Sequence, residues 1–239
     1  MQVIEIANDR IYDRIEDLKA ELSELIDYPE ERFIEIIKDV GFECDLCGKC
    51  CTREFNDHAF LLDADVDRIK MIDPDALVPA PYYEYCDQHG RFYVSGYALR
   101  FKADGSCYFL ENGRCRIYDE RPAICRIYPY MLHREEGEDG KVDWRQISGL
   151  NEHGFYNADI EDEVCRKMAV ETKEYEAAFL NQEIRFSELI QEHFEKNGLK
   201  HVKGVYDRRI RQFKGGAEIE VFVFHNGALE KNTVTKTDH

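Results

Sequence analysis

The chain lacks the sequence features of a secreted or membrane-spanning protein. Residues 1–10 alternate apolar with polar side chains and contain no uninterrupted hydrophobic core of the kind that a signal peptide needs. No stretch approaches the roughly 18 consecutive apolar residues of a membrane span, and no low-complexity or proline-rich segment marks a long disordered linker. With 44% apolar and 12% aromatic residues, the 239-residue chain can form a packed core. We therefore expect a globular cytoplasmic protein without a membrane span.

Positive charge is scarce. The chain has 32 Lys and Arg against 49 Asp and Glu, which gives a formal net charge of −17. Because binding to a phosphate backbone depends on basic side chains that displace counterions, we expect no nucleic-acid partner. A basic protein partner or substrate would suit this surface better, although an acidic surface also serves solubility alone. Residues 100–126 reverse the sign, and their basic side chains either help thiolates stay deprotonated or are ordinary surface residues.

Cysteine, by contrast, is abundant, with nine residues in the chain. The odd number, the length and the expected reducing compartment argue against a disulfide framework. A CxxC spacing lets two thiolates on one tight turn reach the same ion, and CxxCxxC brings a third. We therefore predict a cysteine-ligated metal centre. The candidate thiols form one dense group and a dispersed one: Cys44, Cys47, Cys50 and Cys51, then Cys107, Cys115, Cys125 and Cys165.

The identity of the metal follows only partly from the spacing. Zinc takes four ligands in a tetrahedron, usually from two separate CxxC-like pairs. Three cysteines in CxxCxxC instead resemble the ferredoxin run that binds three corners of an iron–sulfur cubane. We favour an iron–sulfur cluster of the [4Fe-4S] type, with Zn²⁺ as the alternative. Eight thiols allow two four-thiolate sites, one site with structural thiols, or one site that draws on both groups.

Three further residues are candidates for the site on residue type alone. Cys86 stands apart from the other cysteines and is typical of a small buried apolar side chain. His58 and His89 have no chelating neighbour at a fixed spacing, so we interpret each as structural or exposed.

Local patterns predict an α+β fold in which helices surround a small antiparallel sheet. Apolar residues at three- and four-residue steps predict a helix over 8–26, and a second helix runs from Pro29 to Gly41, just before Cys44. Asp63 is placed to cap a helix that ends before Pro74. Short strands are expected at 58–62, 92–94 and 97–101. We divide the chain into an N-terminal helical segment (1–41), a cysteine-cluster core (42–150) and a helical C-terminal region with a terminal hairpin (151–239).

The later cysteines fall on predicted elements as well. Residues 107–117 form a hairpin around Asn112 and Gly113, which would put Cys107 and Cys115 on paired strands about 4.5 to 5.5 Å apart. Cys125 follows on a short helix or turn. A charged, exposed loop (134–141), a strand (142–147), one or two helices (159–197) and a hairpin from 218 complete the expected order.

The stretches ECDLCGKCC and CYFLENGRCRIYDERPAICRIYP together resemble a family defined by a CxxCxxCC signature. Its members are described as zinc- or iron-chelating, and flagellin lysine N-methylase is a relative. The resemblance spans residues 42–129 and implies metal chelation by the seven cysteines within it, from Cys44 to Cys125 without Cys86. Cys165 lies near the position of a late family cysteine but lacks the Pro and Gly that often follow it.

The resemblance does not imply one reaction, and three functions remain open. The first is a redox or methyl-transfer enzyme with an iron–sulfur centre. A methyltransferase needs a Gly-rich turn for its cofactor, and the candidates at Gly149 and Gly215 match poorly. No Ser–His–Asp arrangement, phosphate loop or HExxH helix is present either. The second function is a zinc-binding structural or interaction module, and the third is a metal-handling or sensing protein with an exchangeable ion.

Overall fold

A computed structural model of the chain describes residues 2–130, 133–136, 142–146 and 152–236. The predicted loop and strand at 134–147 lie partly outside these residues, and Gly149 lies wholly outside them. The described parts form two strands there, β8 (His133–Glu136) and β9 (Val142–Gln146), which pair antiparallel.

The first two helices confirm the expected helical N-terminal region. Helix α1 spans Gln2–Asp27 and α2 spans Glu30–Val40. Gly41 adopts a left-handed φ of 51° at the end of α2, and a Cβ there would lie 2.4 Å from the carbonyl oxygen of Ala158. Glycine is therefore required on two counts, conformation and close approach. It ends the helix and turns the chain into the cysteine loop, as the sequence predicts.

The next two helices flank the site. Helix α3 spans Asp63–Ile72 and α4 spans Ala123–Ile127. The predicted cap at Asp63 is wrong, because Leu62 occupies the N-cap position and makes no side-chain cap hydrogen bond. Asp63 is instead the first helical residue, and its backbone N–H donates to Gln182 Oε1 at 3.0 Å. A side chain from a distant helix thus satisfies a donor at this terminus.

The C-terminal region contains one long helix and one that the sequence did not predict. Helix α5 is continuous over Asp162–Asn197 and ends at Gly198, which has a left-handed φ of 62°. Helix α6 spans Lys203–Lys214. None of its residues is fully buried, and its Val205, Tyr206, Ile210 and Phe213 only partly cover the core. Six of its twelve residues are charged and only four are apolar, which explains the missed prediction.

The strands are short and form several small sheets. The remaining strands are β1 (Phe60–Leu61), β2 (Leu77–Pro79), β3 (Tyr85–Cys86), β4 (Phe92–Val94), β5 (Tyr97–Leu99), β6 (Leu110–Glu111), β7 (Arg114–Cys115), β10 (Ile219–His225) and β11 (Ala228–Val234). One sheet has the order β1-β5-β2 and another has the order β11-β10-β4-β3. All named strand pairs are antiparallel except β4 with β10, which is parallel. The α+β class is confirmed.

Two layers of core position the functional region. Helices α1, α2 and α5 pack together around Leu18, Phe33, Ile37 and Leu180. A second core lies between the small sheets and includes Val94, Phe109 and Val221. The loop that follows α2 contacts both of these cores. Within the described residues, no helix is both long enough and apolar enough to cross a bilayer.

Candidate metal centre

The cysteine loop is a compact turn held against two neighbours. Glu43 exchanges backbone hydrogen bonds of 2.9 Å with Phe155. Leu46 and Gly48 both adopt left-handed φ angles, 59° and 73°, and a single 3₁₀ turn at Lys49–Cys51 follows. A Cβ on Gly48 would lie 3.0 Å from Leu110 Cδ1 and 3.2 Å from the Gly113 carbonyl oxygen. Glycine at this position therefore lets the loop pack on the β6–β7 hairpin.

Backbone hydrogen bonds join the two cysteine groups directly. The Cys107 N–H donates to the Cys51 carbonyl oxygen at 2.7 Å, and Thr52 forms an isolated antiparallel bridge with Ser106. Cys115 ends β7, and Cys125 lies in the middle of α4. The β6–β7 hairpin exists, with Asn112 and Gly113 at left-handed φ. The predicted cross-strand pairing of Cys107 with Cys115 is wrong, because β6 begins at Leu110 and it is Leu110 that pairs with Cys115.

Thiols from both groups meet at one cavity of about 340 Å³. The chain delivers them from the loop, from the segment before β6, from β7 and from α4. Apolar and aromatic side chains complete the wall, among them Leu99, Phe101, Phe109, Tyr118 and Tyr128. The six cysteines that line the cavity are Cys44, Cys50, Cys51, Cys107, Cys115 and Cys125.

The other two predicted ligands lie elsewhere. Cys47 is exposed beside the cavity, and its N–H donates to Asp45 Oδ1 at 3.1 Å. Burial and the Asp45 hydrogen bond raise the pKa of the Cys47 thiol, with a smaller contribution from neighbouring Cys50. Cys165 is fully buried in the helical core with Leu18 and Ala169, and its Sγ donates to the Ile160 carbonyl oxygen at 3.7 Å. The structure therefore brings Cys47 to the rim and leaves Cys165 out.

Four of the cavity thiols, Cys50, Cys107, Cys115 and Cys125, have raised pKa values and so favour the protonated state in the absence of a cation. Burial raises the pKa of Cys107 to about 11 and also raises that of Cys115. The pKa of Cys125 is raised first by burial and then by the Cys107 thiol. For Cys50 the hydrogen bond to Cys51 is the largest cause of a raised pKa, ahead of burial. A metal ion would supply the missing positive charge, and its binding would release protons.

Arg121 opposes three of these shifts, and Lys102 opposes that of Cys107. Its guanidinium lowers the pKa values of Cys50, Cys115 and Cys125, although burial outweighs it in each case. The ring of Tyr118 lies 3.6 Å below that guanidinium. Arg116, from the same basic stretch, instead pairs with Glu111 and Asp73. One arginine of this stretch thus acts on the thiols, while another forms ordinary surface ion pairs.

The donor set fits a soft metal, and its spacing limits what the cavity holds without rearrangement. In the described part of the chain, no three or more His, Cys, Asp or Glu side chains are arranged to hold a metal ion as they stand. A zinc ion needs its sulfur ligands at about 2.3 Å. The cavity of about 340 Å³ is some ten times the roughly 30 Å³ that a water occupies in the liquid. The thiols therefore surround a space that suits a group larger than one ion.

Cys86, His89 and His58, the three isolated candidates, occupy different environments. Cys86 is fully buried in β3, and burial raises its pKa to about 12, which confirms its interpretation as a buried apolar residue. His89 is exposed in a turn. His58, however, is half-buried and lines the thiol cavity. Spacing along the chain did not indicate this position, because it depends on the pairing of β1 with β5.

Sequence reasoning also missed an aromatic group beside the loop. Tyr128 lines the cavity, and its hydroxyl lies 2.9 Å from His153 Nε2. His153 is 7% exposed and stacks on Phe55 at a centroid distance of 5.0 Å. Burial, followed by the charge of Cys50, raises the pKa of Tyr128. Because 25 residues separate the two partners, no local motif could have indicated this pair.

Comparison with known proteins agrees with the cysteine pattern. The model of the CxxCxxCC family, described as "Putative zinc- or iron-chelating domain", matches residues 43–183, which is more than half of the chain. The chain is also 28% identical over 110 residues to "Uncharacterized protein MJ0661" of Methanocaldococcus jannaschii. That match covers 45% of this chain and 54% of the relative, so the chain spans about half the length of the curated relative it matches. No solved structure matches the chain.

Proposed function

Because the chain belongs to the CxxCxxCC family of zinc- or iron-chelating domains and is a metal-binding protein, we propose that its centre is an iron–sulfur cluster of the [4Fe-4S] type with a redox role. One observation carries the proposal. Six thiols from four separate stretches line one cavity that is larger than a single ion requires. Zinc in a structural or interaction module is the alternative.

The proposed ligands come from both cysteine groups. Cys44 and Cys50 of the CxxCxxC run, with Cys47 brought in from the rim, would supply sulfurs to three corners, as in bacterial ferredoxin runs. Cys125 would supply the fourth thiolate, because the charges of Cys107, Cys50 and Cys115 all act on it. Cys51, adjacent to the run, would bind or support its neighbours. Cys165 is retained as a buried structural thiol, because it packs in a different core.

The surrounding residues suit the task of holding such a centre. Phe101, Phe109 and Ile117 form an apolar part of the cavity wall, and hydrophobic surroundings and hydrogen bonds to sulfur tune the potential of a cluster. Tyr118 lines the same cavity as Cys44, and Arg121 offsets negative charge. A bound cluster would supply one-electron transfer, while the protein positions and insulates it.

A methyl-transfer role has less support in the fold. Gly215 lies at the C-terminal end of α6, not in a turn that leads from a strand into a helix. That position does not match the glycine-rich turn of a nucleotide-like cofactor site. The net charge of −17 favours a basic protein as the redox partner or substrate, and the free state of all nine cysteines suits a reducing compartment such as the cytoplasm.

The test is anaerobic purification of the full chain, followed by iron, zinc and acid-labile sulfide analysis and a visible absorption spectrum. Matching iron and sulfide with a broad visible band is the expected result. A colourless protein with stoichiometric zinc would replace the redox proposal with the structural one. A properly folded protein that takes up neither metal, even after anaerobic reconstitution, would refute both.

A further inference from the structure

A second, smaller cavity adjoins the thiol-lined one. It has a volume of about 120 Å³, and its lining includes Arg53, Asp57 and Tyr82. Three residues line both cavities: His58, Leu99 and Phe101. Of these three, only His58 carries a polar side chain. These three residues separate the two cavities, and the imidazole of His58 therefore lies beside the thiol-lined one.

The imidazole of His58 is in the state that binds metals. Burial lowers its pKa, and the nearby charge of Asp57 only partly opposes this effect. The ring is therefore neutral at pH 7, with a lone pair on one nitrogen. Nδ1 is buried and makes no hydrogen bond within the described residues. Asp57 lies nearest to this nitrogen, so the nitrogen left to bind a metal ion is Nε2.

Asp57 and Tyr82 are placed to orient this ring. Asp57 Oδ2 lies 3.5 Å from His58 Nδ1, close enough for electrostatic attraction but long for a hydrogen bond. The Tyr82 hydroxyl donates to the same Asp57 carboxylate, and this bond lowers the pKa of Asp57, which keeps it charged. The Tyr82 ring also meets the His58 ring edge to face at 5.7 Å. A carboxylate on one ring nitrogen leaves the lone pair on the other.

Tyr82, which contacts both Asp57 and His58, has an uncommon backbone conformation. Tyr82 has a φ of 66°, in the left-handed region that bulky residues rarely adopt. It is also 68% exposed, so burial of its ring does not explain the strain. Such conformations cluster at functional sites. The contacts of Tyr82 with Asp57 and His58 are the interactions that this strained conformation maintains.

We propose that His58 supplies a nitrogen ligand to the metal centre of the thiol-lined cavity, with Asp57 and Tyr82 as its positioning residues. The inference rests on the proposed function in requiring a metal there, but it holds for iron or for zinc. A mixed sulfur and nitrogen ligand set differs from the four-cysteine set of ferredoxin-type [4Fe-4S] clusters, whereas zinc sites use both kinds. Because His58 also faces the smaller cavity, a small molecule bound there would meet the centre at its nitrogen ligand.

The test uses cobalt(II), a paramagnetic probe for the same ligands, loaded anaerobically into the full chain. Wild-type protein labelled with ¹⁵N-histidine is examined by pulsed electron paramagnetic resonance. A nitrogen coupling that disappears in His58→Ala but persists in His89→Ala is the expected result, since His89 is exposed and away from both cavities. We also expect Asp57→Asn to weaken cobalt binding about 10- to 100-fold, as for other carboxylates that orient a ligating histidine.

The outcomes separate this inference from the proposed function. Cobalt bound with intense thiolate charge-transfer bands, but without histidine coupling in wild-type protein, would overturn the role of His58 and leave the thiol centre standing. Failure of folded wild-type protein to bind cobalt, iron or zinc would overturn both. Absence of the coupling in wild-type protein decides against His58 without any variant, and if His58→Ala fails to fold, His58→Gln takes its place in assigning the coupling.

Discussion

Cys125 and Cys165 are both thiols on helices, and both lie within the region that matches the family, yet their surroundings differ. Cys125 faces a cavity with five other thiols and the guanidinium of Arg121. Cys165 lies among tightly packed apolar side chains, including Leu18 and Ala169. Cys165 is thus the more deeply buried of the two, while convergence with other thiols is found at Cys125. The comparison separates a candidate ligand from a core residue where sequence spacing could not.

The largest expected effect is loss of the centre on replacement of Cys125 by serine. A hydroxyl is a poor substitute for a thiolate toward zinc or iron, so we expect Cys125→Ser to lose most of its bound metal. Metal per folded chain, measured after gel filtration, checks this. Cys165→Ser is the matched control and should retain the wild-type metal content. Equal loss in both variants would contradict the distinction between the two thiols.

A substitution in the core of α1, α2 and α5 should lower the stability of the protein and leave its metal content unchanged. Leu18 is 1% exposed in the core around Cys165. Its replacement by alanine removes buried apolar volume, which costs about 2–5 kcal/mol. We expect a lower free energy of unfolding by denaturant for Leu18→Ala, with unchanged metal per folded chain. A parallel loss of metal would show that the two layers are coupled.

The carboxyl group of Glu84 makes the stability of the fold depend on pH. Glu84 Oε1 accepts from Ser95 Oγ at 2.7 Å, while its Oε2 is buried without a hydrogen-bond partner among the described residues. Burial raises the pKa of Glu84, and neighbouring Glu183 adds to the effect. The stability from the protonated form is present below the ordinary pKa of 4.5 and is lost as pH rises through the raised value.

Glu84→Gln removes this titration and keeps the acceptor for Ser95. Its stability relative to wild type should therefore increase by on the order of 2 kcal/mol between about pH 5 and pH 9. Urea unfolding across that range measures the difference. A constant difference between the two proteins would show that Glu84 does not titrate on unfolding.

The smallest effect is expected for Cys165→Ser itself. The serine hydroxyl can take over the hydrogen bond to the Ile160 carbonyl oxygen, so only part of the cost of burying a polar group remains, about 1 kcal/mol. Thermal unfolding followed by circular dichroism should show a modest fall in Tm. A fall as large as that of Leu18→Ala would mean that this sulfur has a greater role than packing.

Local signals account for the features that the sequence predicted well. Gly41 and Gly198 end helices because glycine adopts left-handed φ at low cost, and Asn112 with Gly113 forms the hairpin turn for the same reason. Of the CxxCxxC run, Cys44 and Cys50 line the cavity because they lie on one short stretch, whereas Cys47 lies at its rim. These features depend on neighbours in the chain, which the sequence displays directly.

The remaining features depend on packing between distant segments. His58 reaches the thiols through the pairing of β1 with β5, and Cys165 is kept from them by the packing of α1 and α2 on α5. The parallel pairing of β4 with β10 joins segments more than 120 residues apart. The cap at Asp63 is replaced by a side chain from α5. No pattern within one segment reports such contacts.

X-ray absorption at the edge of the metal that the purified protein carries tests most directly whether thiols of both groups bind it. The account predicts a first coordination sphere dominated by sulfur in wild-type protein, with sulfur lost both in Cys50→Ser and in Cys125→Ser and unchanged in Cys165→Ser. A metal coordinated only by oxygen and nitrogen would contradict the account. So would sulfur coordination that stays unchanged in Cys50→Ser or in Cys125→Ser.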